Sequence, residues 1–348
     1  MIICDPICTK MEHVPINTQI ISNIVKEYKG KDIKLLCHES HWSHLSQSLS
    51  KEIKCSIKHI PIDVVSRKTK FKEWFKQLVT IRKIKSISSK NEPWIFLSTS
   101  VPLFWWFCFI CKSHNPKMIF HSILAEVSGW IPRNPISALF TLRATFQNLH
   151  KRLPTTIVLE DYIRLNLIAL NPQLQSKIFT LSHPLPDDND TKITPNNKEI
   201  RIGFPGSFAK NKGANGFVTL AKKFKSNIKF SVIGKDTIGF KNQNQSQLFD
   251  KGPFDDYLSR EEYCTLFNEC DFIYLDQDKE HYQWTASGVL LDILHFGKPV
   301  IAKNNDNLFS FTKEFGDIGY LYSNEKELES ILEKIILGSD DRIAWQGL

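Results

Sequence analysis

Apolar and polar positions alternate along this chain in short blocks. "MIICDP", "DIKLLCH", "KCSIKHIPI", "EPWIFLSTS", "KMIFHSI" (117–123) and "TTIVLE" (155–160) are brief apolar runs rich in β-branched and aromatic residues, the pattern of buried strands. Helical stretches separate most of them, the first running from about Thr18 to Tyr28 after the polar loop "ICTKMEHVPIN". Strands alternating with helices predict a parallel sheet with crossover connections. The segment "SHPLPDDNDTKITPNNKE" (182–199) is rich in Pro, Asp and Asn and poor in large apolar residues, so it reads as a linker.

Beyond it the pattern restarts. "IRIGFPGSF" is a strand and turn, "GANGFVTLAKKF" a helix, "KFSVIG" a strand, "REEYCTLFNEC" a helix and "DFIYLD" a strand. An apolar helix then opens at "SGVLLDILHFG", followed by strands "PVIA" and "GYLY" and the helix "EKELESILEKIIL". The predicted organisation is α/β, with two doubly wound domains: residues 1–185, a linker at 186–198, and residues 199–348. Open α/β sheets bind ligands outside the carboxyl ends of their strands, which places the expected site in a cleft between two such domains.

The stretch "WIFLSTSVPLFWWFCFIC" (94–111) carries no charge and touches the lower length limit for a membrane span. Ser98, Thr99 and Ser100 followed by Pro102 interrupt it, so we read a buried strand, a turn and an apolar helix. The opening "MIICDPICTK" lacks a basic segment and a long apolar run, so a secretory signal is not expected and a cytoplasmic location is.

Charge sharpens the picture. The formal net charge is +8. Residues 1–195 hold about 26 Lys and Arg against about 15 Asp and Glu, and the remainder about 19 against about 22. A basic first half suits phosphate-rich partners. Much of the excess sits in "SRKTKFKEWFKQLVTIRKIKSISSK" (66–90), where Phe71, Trp74, Phe75, Leu78, Val79 and Ile81 interleave with basic residues at helical spacing. Such a helix either lies on an anionic membrane or packs on its own domain with solvated charges. No recognised nucleic-acid module accompanies it, and no nucleic-acid partner is expected. Among the 8 cysteines only Cys108 and Cys111 form a C-x-x-C, without a second pair, so free thiols and no metal site are expected.

Two constellations can carry chemistry. A helix beginning at Ser287 and Gly288 presents unpaired backbone N–H groups and the positive end of its dipole to an anion. Asp292, four residues on, lies on the same face, where a carboxylate can accept from a ribose diol. Gly297 then ends the helix. A Ser cap, a helix with one polar residue and a Gly terminator is the plainer account of the same residues. The second constellation is "GFPGSFAKNKGANGF", a strand–turn–helix loop with Gly203, Gly206, Gly213, Lys210 and Lys212. It meets neither G-x-G-x-x-G nor Walker spacing.

Together these lines resemble the nucleotide-sugar half of GT-B glycosyltransferases, particularly glycosyltransferase family 4, over most of 198–335. The resemblance implies two Rossmann-like domains, a nucleotide-diphosphate sugar donor, retention of anomeric configuration, and no cofactor or essential metal. It implies donor contacts from Gly206, Ser207, Lys212, Tyr282, Ser287, Gly288 and Asp292. The family's loop arginine falls on Ser207, its first signature glutamate on Trp284, and its second is shortened to Asp292; subgroups with Tyr-x4-Ser-Gly match Tyr282 to Gly288 better. In the first domain it implies site roles for Glu12 and His13 after the first strand, and for His121 at a strand end, with Glu126 a weaker candidate. The acceptor implied is a glycan or lipid-linked saccharide at the inner membrane face, in cell-surface polysaccharide synthesis. Two rivals stand beside this. A GT-B epimerase needs a carboxylate-rich cleft, for which only Glu12, Glu126 and Asp292 qualify. A non-catalytic relative that binds glycan or a partner protein is the other, with Ser207 and Trp284 as its support.

Overall fold

The computed structural model describes residues 1–64, 71–89, 91–110, 116–120, 141–182, 199–243 and 247–338. The chain forms two compact units: Met1–Pro186 with Trp284–Ala286, and Asp187–Gln283 with Ser287–Leu348.

The first unit is built on seven strands: β1 (Ile2–Asp5), β2 (Ile33–Cys37), β3 (Ile57–Pro61), β4 (Trp94–Phe96), β5 (Lys117–Phe120), β6 (Thr155–Val158) and β7 (Ile178–Thr180). All pairs are parallel, in the order β3-β2-β1-β4-β5-β6-β7. Period-two alternation assigns each residue a face. Ile2, Cys4, Trp94, Phe96 and Met118 join one core with Ile81, Ile84, Phe104 and Phe107. Ile3, Leu35, Ile95 and Ile119 join the other with Val14, Ile20, Ile21 and Leu45. Because helices cover both faces, the strands read as nearly continuous apolar runs.

Local differences from the sequence reading have physical causes. The helix expected from Thr18 begins at Val14, with Pro15 in its first turn, where a missing N–H costs nothing. Strand β7 escaped notice because only Ile178 of its three residues is buried. The strand expected over 117–123 covers 117–120, and the rest lies outside the described residues. The uncharged stretch at 94–111 is β4 followed by the helix Val101–Ile110. Among the described residues no helix is long and apolar enough to cross a membrane. The basic segment at 66–90 contains the helix Phe71–Ile87, whose Ile81 and Ile84 enter the core while Phe75 and Val79 stay exposed.

The second unit holds β8 (Ile200–Pro205), β9 (Ile228–Ile233), β10 (Phe272–Leu275), β11 (Val300–Lys303) and β12 (Gly319–Tyr322), parallel in the order β12-β11-β10-β8-β9. Phe204, Phe208, Phe217, Phe230, Phe249 and Tyr274 fill one side as a contiguous aromatic cluster, with Phe204 and Phe208 edge to face at 5.1 Å. Ile273, Leu275, Leu290, Ile293 and Val300 fill the other. A helix at Asp306–Phe315, absent from the sequence reading, stands between β11 and β12. Its sequence is mostly polar, and Asn305 starts it by accepting the Leu308 N–H at 2.9 Å. The strand order reverses between β8 and β10, the position where such sheets open a crevice.

Two turns at that edge approach too closely for side chains. A Cβ on Gly234 would lie 1.9 Å from the Gly206 carbonyl oxygen. Gly234→Ala is therefore expected to cost more than about 3 kcal/mol, beyond ordinary overpacking. Gly30→Ala, at φ 78° in open space, should cost only about 1–2 kcal/mol. Urea unfolding of both variants beside the wild type checks the difference.

Candidate functional site

Strands β8 and β10 deliver their carboxyl ends side by side. Gly206, just past β8, adopts φ 80°, and its N–H donates to the Ile233 carbonyl at 3.0 Å. A Cβ there would meet Lys212 Nζ at 3.0 Å and Val289 Cγ2 at 3.9 Å. The Lys212 ammonium thus lies against the glycine, beside the first turn of the helix Gly288–Phe296. Its loop is pinned from below: the Asp278 N–H donates to the Asn211 carbonyl at 3.1 Å, and Gly213, at φ 86°, seats directly on Asp276.

Lys212 is half-buried, and among the described residues its ammonium has no hydrogen bond and no ion pair. Burial alone pushes its pKa down. Its neighbours are supplied differently: Lys298 Nζ donates to the Asn268 carbonyl at 2.7 Å, and Lys303 pairs with Asp276 at 3.5 Å. A desolvated, unpartnered cation is a site for an anion.

The adjoining helix has the same character. Ser287 occupies its cap position but makes no capping bond; its hydroxyl accepts from Gln277 Nε2 at 3.0 Å. Gly288 is exposed, with open space where a Cβ would stand. First-turn N–H groups and the positive dipole end therefore face an accessible volume. Gly297, at φ 55°, terminates the helix. Ser207 is half-buried beside Gly206, and Tyr282 is buried on the short helix Lys279–Tyr282, where desolvation raises its hydroxyl to about 12.

Asp292 sits one turn deeper. Its Oδ1 accepts from Arg260 Nη1 and its Oδ2 from the Tyr263 hydroxyl, both at 2.9 Å. Burial pushes its pKa up, with Arg260 and Tyr263 opposing. Arg260 also lies over the Tyr263 ring at 5.5 Å and the Phe296 ring at 5.8 Å. Sequence reasoning missed Arg260, Tyr263 and Gln277. The first two belong to a helix opened by a Ser259/Glu262 capping box, a signal present in "SREE". Gln277 has no local signal.

In the first unit, Glu12 and His13 lie in the loop after β1. Glu12 is half-buried and accepts the Thr9 N–H at 3.1 Å; His13 is exposed and adopts φ 54° at the start of the helix Val14–Glu27. Lys10, also left-handed at φ 48°, makes this a loop held in a sparsely populated conformation. His121 and Glu126 lie outside the described residues. Trp284 packs on the first core, an apolar use of that position.

Beneath the loop is a buried polar network. Asp5, at the end of β1 and fully buried, accepts from the Ser98 hydroxyl, from Asn17 Nδ2 at 2.6 Å, and from the Cys8 N–H at 3.1 Å. His41 Nε2 lies 3.4 Å from Asp5 Oδ2, and its Nδ1 is 2.9 Å from the Lys10 carbonyl, tying the ring to the loop. Burial raises the Asp5 pKa, but the His41 bond and charge outweigh it and hold the carboxyl well below its usual range. Burial likewise lowers His41, and Asp5 outweighs that, leaving the imidazole raised.

No protein-family model matches the chain, and no curated protein matches its sequence. Solved structures match over nearly its whole length. A glycosyltransferase from Rickettsia africae superposes with a TM-score of 0.67 at 13% identity, covering 99% of this chain and 92% of that one. HepE from Anabaena, solved with UDP-glucose, gives 0.64 at 13% over 99% and 92%. WaaG, a glycosyltransferase involved in lipopolysaccharide biosynthesis, gives 0.61 at 15% over 99% and 93%. The chain has the GT-B glycosyltransferase fold.

The Asp5–His41 pair makes stability depend on pH. Asp5, lowered in the fold, contributes above about pH 4 and loses that contribution as pH falls further. His41, raised in the fold, contributes fully below about pH 6.5 and loses its share as pH rises through its folded pKa. The wild-type unfolding midpoint should therefore fall as pH rises above about 6.5. His41→Gln should cost about 3–5 kcal/mol near pH 6 and flatten that slope. Calorimetry across the window decides, since coincident slopes would mean that His41 does not titrate there.

Proposed function

We propose that this protein is a retaining, metal-independent glycosyltransferase of the family 4 type, moving a sugar from a nucleotide-diphosphate sugar to a glycan or lipid-linked acceptor. The single observation that carries this is the unpartnered, desolvated Lys212 ammonium beside the uncapped helix start at Gly288, at the strand-order reversal. Lys212, the first-turn N–H groups, Gly206, Ser207 and the Ser287 hydroxyl would take the diphosphate, with Tyr282 beside them. Asp292 keeps one acceptor direction on each oxygen for a ribose diol. As the bond from the anomeric carbon to phosphate oxygen breaks, Lys212 and the helix dipole stabilise the charge developing on the leaving group. The acceptor oxygen bonds to the anomeric carbon from the same face, and its proton passes to the departing phosphate. Glu12, His13 and His121 take the acceptor-side and sugar-side positions in this reading.

HepE and WaaG support the donor class and the setting, UDP-glucose for the one and lipopolysaccharide biosynthesis for the other. The reading includes a cytoplasmic protein docking peripherally on the inner membrane face, and the helix Phe71–Ile87 supports the docking. Phe75 and Val79 are exposed there alongside Arg82, Lys83 and Lys85, and Phe75 contacts Trp106 of the neighbouring helix. The non-catalytic reading keeps Ser207 and Trp284 in its favour, and the same experiment separates the two.

Thermal unfolding with a panel of nucleoside diphosphates tests the site. A ligand at about 100 times its Kd should add about 2.7 kcal/mol of stability. Lys212→Met should abolish that shift while leaving the unliganded protein at least as stable as wild type, because it removes a desolvated charge without a partner. No shift with any nucleotide would withdraw the enzyme assignment in favour of the non-catalytic one. Consumption of the bound donor's sugar conjugate, by hydrolysis or transfer, confirms catalysis.

Membrane docking is checked by flotation with phosphatidylglycerol-containing and pure phosphatidylcholine vesicles. Binding should be confined to the anionic vesicles, weaken as salt is raised, and be lost when Phe75 and Val79 are both changed to Ser. Equal flotation with both vesicle types would remove this surface from the proposal.

A further inference from the structure

Among the described residues, the buried polar atoms without a hydrogen-bond partner include one on Gln277, beside the candidate site. Gln277 lies two residues past β10 and is 5% exposed. Its Nε2 donates to Ser287 Oγ at 3.0 Å, yet among the described residues its Oε1 is buried with no hydrogen-bond partner. Most buried side-chain carbonyl oxygens in native proteins have a partner, and at this position, against the cap of the candidate site's helix, a ligand can supply one.

Chemistry narrows what that donor is. An ionised diphosphate presents acceptors only and cannot satisfy a carbonyl oxygen. It is matched instead by the Ser287 hydroxyl, which accepts from Gln277 and so retains its own hydrogen to give. Oε1 needs a donor, and the donors a sugar offers are its hydroxyls. Position then separates the two sugars of a nucleotide-sugar. Along the helix, Gln277 meets its cap at Ser287, Lys212 approaches beside Val289, and Asp292 lies about one turn, roughly 6 Å, further in. A ligand laid along this axis with its diphosphate at the centre and its ribose toward Asp292 has its transferred sugar at the Gln277 end.

We propose that Gln277 is a specificity-determining residue whose side-chain carbonyl accepts a hydrogen bond from a hydroxyl of the transferred sugar. This rests on the donor-site reading above and adds to it a contact to the glycosyl group.

Calorimetric titration with paired probes tests it: UDP beside UDP-glucose, and GDP beside GDP-mannose, on wild type and Gln277→Leu. The variant should stay folded with a melting temperature lowered by a few degrees at most, since the lost Ser287 hydrogen bond is offset by the loss of an unsatisfied buried oxygen. Its affinity for the nucleoside diphosphate should stay within about twofold of wild type, while affinity for the matching sugar nucleotide falls about tenfold. Ser287→Ala should show the converse, weakening both members of a pair together. Equal losses for both members in Gln277→Leu, or no loss in either, would overturn the assignment of Gln277. If wild type binds neither pair, the donor-site reading itself fails, and this inference fails with it.

Discussion

The second unit depends on how closely three strand ends approach one another. The Gly206 carbonyl lies where a Cβ on Gly234 would stand, Gly213 rests on Asp276, and Lys212 occupies the space a side chain on Gly206 would need. These contacts leave the Lys212 chain little freedom and shield it from water without giving it a counter-charge. An ammonium held in this way is a local conflict in an otherwise consistent fold, and such conflicts are where function is found. The cost is borne by the aromatic cluster beneath, where Phe204, Phe208, Phe217 and Phe249 fix the strands whose ends carry the turns.

The first unit solves the same topological problem in the opposite sense. Its strand order also reverses, between β1 and β4, where Asp5 closes β1 and Ser98 lies two residues past β4. Here the buried charge is fully engaged: Asp5 accepts from Ser98, Asn17 and backbone N–H groups, and faces His41. A buried network around a paired charge rigidifies what it touches, and through the Lys10 carbonyl it touches the loop bearing Glu12 and His13. Among the described residues Asn17 Oδ1 also lacks a partner, so the difference between the two switch points lies in charge: Asp5 faces His41, while the Lys212 ammonium faces no carboxylate.

That distinction explains what the sequence could disclose. Strand faces were legible because burial on both sides imposes long apolar runs, as in "IICD" and "FIYL". The helix start at Ser287 and its end at Gly297 were legible because backbone geometry demands those residue types. Strand β7 was not, since only Ile178 of its three residues is buried, whereas the helix Asp306–Phe315 carries a helical period in Leu308, Phe311 and Phe315 that the sequence reading passed over. Within the site, Gly206 and Lys212 were readable as a loop type. The Ser287–Gln277 and Asp292–Arg260 pairings were not, because they join residues 10 and 32 positions apart whose meeting is set by tertiary packing. The departure at Trp284 has a similar origin: the position serves a hydrophobic core, so its residue answers to packing.

The Asp292–Arg260 pair also bears on why an anion should be welcome at this helix. A lone carboxylate one turn from the helix start, roughly 6 Å away, would repel an incoming anion by about 3 kcal/mol at an effective dielectric of about 20. That would cancel much of what the dipole and Lys212 offer. Arg260 Nη1 at 2.9 Å neutralises the carboxylate locally, and the Tyr263 hydroxyl withdraws further charge from its other oxygen. The balance at the helix start then stays positive, set by Lys212 and the free N–H groups. Asp292 can accordingly serve as a hydrogen-bond acceptor one turn in without opposing a phosphate at the entrance. Removing Arg260 would take away much of that positive field, so a residue that the sequence reading passed over supports the two it selected in acting on one ligand.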